Sequence, residues 1–463
     1  MSRYSRRSFV KTLAAGGAAA VAALQQVHAA EQPELLESPL WQPASANDRI
    51  RIAAVGAGIM GFNNMRSALM VPGVELAAVS DLYDGRMLRA KEVFGNQLIT
   101  TRDYRELISR PDIDAVLVST SDHWHDRITI DALNAGKHVY CEKPMVNLVE
   151  KGAAVIAAEQ KSGKVLQVGS QVFSSIATEK ARKLYESGAI GKLVMIETYN
   201  DRDSANGAWQ YSIPTDASDK TVDWDRFLGD APKRPFDKVR FFRWRNYRDY
   251  GTGAAGDLFV HLFTRFHKVT SSLGPERAYA TGGLHFWKDG RDVPDVIMGL
   301  YDYPETPAHP AFHVQMRVNF VSGGGGAYLV KLVGTEGVMI IDGDTIRIDG
   351  SGLQLDAPYG GWDSYETFPA AMQKEYAEWY DRTHPKVAGT MRGPGERVYS
   401  APENYSDHYH HFFNFFNAIR TKDRSLIEDG AFGMRAAGPA LLANLSYFER
   451  KVVRWDPKAM KLV

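Results

Sequence analysis

Six consecutive residues, Gly56-Ala57-Gly58-Ile59-Met60-Gly61, have the types and spacing that a pyrophosphate requires. They follow an apolar run and open a helical pattern. Gly56 permits a tight turn, Gly58 lets the backbone approach a ligand, and Gly61 allows a helix to pack closely on a strand. The helix start, with Ile59 and Met60, presents free N–H groups. Asp81 closes the next apolar run about 20 residues beyond Gly61, where an acidic group accepts hydrogen bonds from ribose hydroxyls and repels a 2′-phosphate. The pattern predicts a dinucleotide, NAD in the first place. Arg86 leaves NADP open, because its guanidinium can swing toward the ribose and tolerate the extra phosphate.

Lys143 lies just past the run His138–Cys141, at the end of a predicted parallel strand, where open α/β sheets bind ligands. Removing a hydride from an alcohol requires that its hydroxyl proton leave as well, so a base must stand beside the nicotinamide. Lys143 is one candidate. Asp257 and His261 are four apart and on a helix would share a face, the aspartate fixing the histidine's tautomer while the histidine holds the reacting hydroxyl or takes its proton. The residues leave open which of Lys143 and His261 is the base. His123 with His125, and the group His408, His410, His411, raise the question of a metal. No cysteine or spaced carboxylate completes a ligand set, so no metal is expected.

These residues need elements to hold them. From Arg49 strand-like runs alternate with helical patterns: Ile50–Val55 then Ile59–Leu69, Glu75–Ser80 then Gly85–Phe94, Ala115–Ser119 then Asp126–Ala135, His138–Cys141 then Leu148–Lys161, and Val165–Val168. Such alternation predicts βαβ units and a parallel sheet. After about Gln171 one helix, Ile176–Ser187, leads into grouped strands at Leu193–Tyr199, Glu276–Gly282, Val296–Tyr301, Val314–Phe320, Tyr328–Gly334 and Gly337–Ile341. Strands without intervening helices predict a mostly antiparallel sheet. Asp201–Arg240 and Gly352–Pro402 read as long loops or insertions near the site, and Tyr409–Arg420 and Ala431–Arg450 as closing helices. The expected organisation is α/β: a signal over 1–30, a linker or arm over 31–48, a Rossmann domain over 49–170, and an α+β domain over 171–463 with a large, mostly antiparallel open sheet.

Val118-Ser119-Thr120-Ser121-Asp122-His123-Trp124-His125, Gly136-Lys137-His138-Val139-Tyr140-Cys141-Glu142-Lys143-Pro144 and Gly253-Ala254-Ala255-Gly256-Asp257-Leu258-Phe259-Val260-His261 resemble the signatures of the glucose-fructose oxidoreductase/inositol dehydrogenase (Gfo/Idh/MocA) family. The match at Glu142-Lys143-Pro144 is the sharpest. His411-Phe412-Phe413-Asn414-Phe415 and Val453-Arg454-Trp455-Asp456-Pro457 are similar to its exported members. The resemblance covers nearly all of residues 49 to 457. It implies a Rossmann domain paired with an open-sheet substrate domain, and a cofactor pocket that includes Thr120, His123, His125, Glu142, Lys143 and Gln171, with His123 and Trp124 walling the nicotinamide. It also implies homo-oligomers formed through the outer sheet face. Trp209, Tyr211, Trp244, Tyr247, Tyr250 and Trp287 sit in polar surroundings and are candidates for stacking on sugar faces.

The chain's first thirty residues read differently. Arg6-Arg7, an apolar run from Thr12 to Leu24 and small residues around Ala29-Ala30 have the order of a Tat export signal, and the run is shorter than the roughly 20 apolar residues of a bilayer span. A periplasmic or otherwise exported protein is expected, with no membrane attachment after cleavage. Lys plus Arg equals Asp plus Glu at 55 each, which gives no reason to expect a nucleic-acid partner. Cys141 is the only cysteine, so no internal disulfide is possible. The expected substrate is a small sugar or polyol. Three functions follow: an NAD(P)-dependent oxidoreductase with tightly held cofactor, an NAD-dependent glycosidase that oxidises, eliminates and re-reduces its sugar, and a cofactor-bound sugar-binding protein without turnover.

Overall fold

Strand Ile50–Val55 is buried along nearly its whole length, as a strand covered on both faces must be. It pairs in parallel with Val74–Ser80 on one side and Ala115–Val118 on the other. Ile99–Thr101 extends the sheet at one edge, and His138–Glu142 and Leu166–Gly169 extend it at the other. The strand order reverses between Ile50–Val55 and Ala115–Val118. The loops after these two strands therefore part and open a crevice at the carboxyl ends, the position where doubly wound sheets bind ligands. The computed structural model describes residues 33–37, 49–350, 359–384 and 395–463. The expected signal over 1–30 and most of the 31–48 arm lie outside the described residues.

The second sheet has eleven strands. Its neighbours are antiparallel except where Phe312–Asn319 meets Leu193–Asp201 and where Glu34–Leu35 meets Arg397–Ser400. Burial alternates strictly along Phe312–Val318, so one face of the sheet is covered and the other open. Helices Ile176–Glu186, Val260–Thr270 and Gly430–Glu449 pack on the covered face. A Rossmann fold followed by a large, mostly antiparallel sheet is the architecture that the strand grouping predicts.

The structure also departs from the sequence reading. Thr345–Asp349, Arg397–Ser400 and Val453–Asp456 are further strands, and the stretch expected as a loop at 352–402 contains the helix Ala370–Thr383. Glu34–Leu35, within the expected arm, adds an edge strand to the second sheet. Helix Asp407–Thr421, expected with the second domain, lies against the first: Phe412, Phe415 and Phe416 join the cluster containing Ile52, Ala54 and Leu117, and Phe412 stacks on Tyr140 at 4.3 Å. A helical apolar stripe shows that a face is buried but not which surface buries it.

Candidate active site

The dinucleotide end is built by backbone proximity. Gly56 has φ +91°, and a Cβ there would lie 2.4 Å from the Ser119 carbonyl oxygen; a Cβ on Gly61 would lie 2.0 Å from the Gly56 carbonyl oxygen. Neither position admits a side chain. At Gly58 the nearest atom to an added Cβ is the Arg86 guanidinium carbon, 3.8 Å away, so the protein itself does not require glycine there and a closely approaching ligand would. Asp81 is buried at its strand end, where its carboxylate accepts from the Ala57 N–H at 2.7 Å and the Tyr83 N–H at 2.9 Å. Arg86 stands 3.6 Å from Asp81, with its guanidinium 5.2 Å from the Phe242 ring centre. These groups fit a dinucleotide with its pyrophosphate at the Gly56–Gly61 turn and a ribose at Asp81.

A cavity of about 750 Å³ runs from this turn along the strand ends. Gly56, Gly58, Ile59, Met60, Asp81, Arg86, Thr120, His125, Glu142, Lys143 and Gln171 all line it. Gly61 lies beneath, where helix meets strand. His123 is a correction. Instead of facing the cavity, its Nε2 donates to the Phe227 carbonyl at 2.9 Å and its ring packs edge-on against Phe227. Burial pushes its pKa down to about 4, so the ring is neutral. The cause is local: Asp122–Trp124 is a 3₁₀ turn, in which residues two apart do not share a face as they would on a strand. His125 does turn inward, Nδ1 donating to the Pro144 carbonyl at 2.8 Å. Trp124 lines the cavity as expected.

At the far end Glu142 accepts from Asn64 Nδ2 at 2.9 Å and from Gln171 Nε2 at 3.2 Å. Lys143 Nζ donates to the Asp257 carboxylate at 2.9 Å and to its backbone carbonyl at 3.0 Å, both side chains being under a tenth exposed. Arg245 Nε reaches the same Oδ1 at 3.3 Å. Burial by itself would raise the Asp257 carboxyl, but Lys143 and Arg245 outweigh it and hold it below the ordinary range. Asp257 therefore serves Lys143 and Arg245 and makes no hydrogen bond to His261. Asp257 and His261 nonetheless share the face that lines the cavity, across the π-helical turn Ala255–Phe259 and the start of the α-helix at Val260. His261 still lines the cavity, and burial, reinforced by Lys143, keeps its pKa well below the usual histidine value.

Of the aromatic candidates, Trp209, Tyr211 and Trp244 line the cavity. Tyr247 and Tyr250 instead belong to a separate aromatic core with Tyr83 and Phe227, and Trp287 packs on the main core with Nε1 donating to the Phe320 carbonyl. His408 lines the cavity, while His411 is buried between Ser174 and the Val168 carbonyl. Among the described residues no group of three His, Cys, Asp or Glu side chains gathers to hold a metal, and no helix is long and apolar enough to cross a membrane. Sequence reasoning missed Asn64, Arg202 and Arg245. Asn64 faces inward from the helix after the glycine turn and could have been found from that position; the two arginines carried no local signal.

Residues 50–170 match the family described as "Oxidoreductase family, NAD-binding Rossmann fold". An inositol 2-dehydrogenase of Salmonella paratyphi B is 33% identical over 149 residues, which is 32% of this chain and 44% of that protein. The chain thus aligns with less than half the length of that relative. A protein named "Glycosyl hydrolase family 109 protein 1" from Shewanella sp. (strain MR-7) is 24% identical over 418 residues, 83% of this chain and 82% of the other. Among solved structures, a levoglucosan dehydrogenase in complex with NADH and levoglucosan has a TM-score of 0.60 at 19% identity, over 88% of this chain and 99% of that one. This last likeness is one of fold.

Proposed function

From a chain whose residues 50–170 match the Gfo/Idh/MocA family of NAD-binding oxidoreductases, we propose that the whole protein oxidises a hydroxyl of a sugar or polyol, or reduces the corresponding carbonyl, with NAD held as a prosthetic group. One observation carries the reading: the glycine turn and the Lys143, Asp257 and His261 group line one continuous cavity at the carboxyl ends of the parallel sheet. NAD, when bound, supplies the hydride acceptor. Lys143 Nζ, anchored by Asp257, positions the oxygen of the reacting hydroxyl. His261, kept neutral by burial, receives the hydroxyl proton on its imidazole. Trp209, nearly fully buried, and Tyr211 wall the substrate.

Slow cofactor release is supported by the segment 213–250, which closes over the ribose end. Tyr83 OH donates to Asp216 at 2.6 Å, the Asp223 N–H donates to the Leu82 carbonyl at 2.8 Å, and Phe241 and Phe242 pack around Arg86. A held cofactor agrees with export through the Tat route, read from residues 1–30, because free NAD is scarce outside the cytoplasm. The outer face of the large sheet exposes Tyr279, Met298 and Leu300, which supports assembly of copies through that face. The redox-neutral glycosidase is the second reading, favoured by the glycosyl hydrolase relative that spans most of the chain.

Mature protein purified without added nucleotide should release close to one equivalent of NAD(H) on denaturation. With a panel of sugars and glycosides, net change in nicotinamide absorbance selects the oxidoreductase, and aglycone release without it selects the glycosidase. Protein isolated empty, binding NAD only at millimolar concentration (about 4 kcal/mol), would overturn the prosthetic reading.

A further inference from the structure

At the substrate end of the cavity one guanidinium has no carboxylate partner of its own. Asp257 is already shared between Lys143 and Arg245. Arg202 lines the same cavity, yet among the described residues no carboxylate oxygen lies within 4.0 Å of it. Its Nη1 donates to the Gly207 carbonyl at 3.0 Å, and its guanidinium sits 5.7 Å from the Phe320 ring centre. Burial works against its charge, and Asp257 is the carboxylate that opposes this effect from a distance. The other acids of the cavity are committed elsewhere. Asp122 accepts from the backbone N–H and hydroxyl of Thr252, and burial raises its pKa, while Glu142 serves Asn64 and Gln171. A wholly neutral ligand would shut Arg202 away from water without a counter-ion, which is costly. A planar guanidinium is matched by a carboxylate or a phosphate.

We infer that the substrate carries an anionic substituent, a carboxylate or a phosphate, on its sugar or polyol frame, and that Arg202, with Arg245 beside it, binds that group. The frame rests on the oxidoreductase reading; the anion rests on the uncompensated guanidinium.

The test is equilibrium binding to the NAD-loaded full chain, using a panel of hexuronates and hexose phosphates, each against its neutral parent hexose. At least one acid should bind tenfold or more tightly than its parent, about 1.4 kcal/mol. The stronger class identifies the substituent. In Arg202→Gln, with bound NAD retained, the preference should fall to within threefold. No acid binding better than its parent, or a preference that survives Arg202→Gln, overturns the inference. Wild-type protein gives a check independent of the variant's folding: the preferred acid should protect Arg202 from phenylglyoxal, read by peptide mass, and the neutral parent should not. Equal protection by both also overturns it. Hydride transfer is followed in parallel. Its absence with every compound would remove the oxidoreductase reading while leaving the binding comparison to decide the anion.

Discussion

Replacing Asp257 by Asn keeps the shape of the side chain and removes its charge. The carboxylate sits 2.9 Å from Lys143 Nζ and 3.3 Å from Arg245 Nε, with side-chain exposures of 8% for the lysine and 6% for the aspartate. At an effective dielectric of about 20, a charge pair at the lysine distance attracts by roughly 6 kcal/mol, much of it offset by the desolvation of both groups. Removing one partner forfeits the attraction and leaves the desolvation, now with two adjacent cations. The expected loss is about 3–5 kcal/mol of folding stability. Urea unfolding of the NAD-loaded protein measures it, and a cycle with Lys143→Met isolates the pair. The double variant should be more stable than the sum of the single losses predicts, by about 2 kcal/mol or more, because it no longer buries Lys143 without its carboxylate partner. An Asp257→Asn variant within about 1 kcal/mol of wild type, or additivity in the cycle, would refute the claim that this ion pair organises the site.

Lys143→Met should abolish turnover while leaving NAD affinity within about tenfold (roughly 1.4 kcal/mol), since Lys143 is placed to serve the hydroxyl and not the pyrophosphate; unaltered turnover across pH 6 to 9 would count against it. His261→Ala should cost turnover comparably, and a rise in KM alone would make the histidine a binding group. Gly61→Ala, whose Cβ would meet the Gly56 carbonyl oxygen at 2.0 Å, should lose about 1–3 kcal/mol of stability together with NAD binding. Gly58→Ala has room in the protein and should weaken NAD binding while its unfolding midpoint without nucleotide stays near wild type. Burial pushes His123, His138 and His411 down to about 4, so the unfolded chain takes up protons near the ordinary histidine pKa before the native state does. The contribution of these rings should therefore be full above about pH 6.5 and fall as the pH drops from there toward 4, while Glu159, raised to about 7 by burial, works in the opposite direction. The urea midpoint of the wild type should fall more steeply over that range than that of His138→Gln, and equal slopes would contradict the burial of this ring.

The sequence alone determined the features that depend on short stretches of chain. The glycine turn, Asp81 at the end of the following strand and the alternation of strand and helix specify a Rossmann crevice, because tight turns and periodic burial are local constraints. Grouped strands after Gln171 specify the second sheet for the same reason. What the tertiary structure alone decided is which distant groups meet. Lys143 and Asp257 are 114 residues apart, and their hydrogen bond joins the end of a strand of the first sheet to the turn Ala255–Phe259. His123 was expected at the nicotinamide from the resemblance, and in the 3₁₀ turn Asp122–Trp124 its ring turns to the Phe227 carbonyl instead. Arg202 and Arg245 come from segments without apolar period, so nothing local distinguishes them from solvated surface arginines. Their place in the cavity depends on where those segments come to lie in the fold, an outcome of long-range packing that a one-dimensional pattern does not encode.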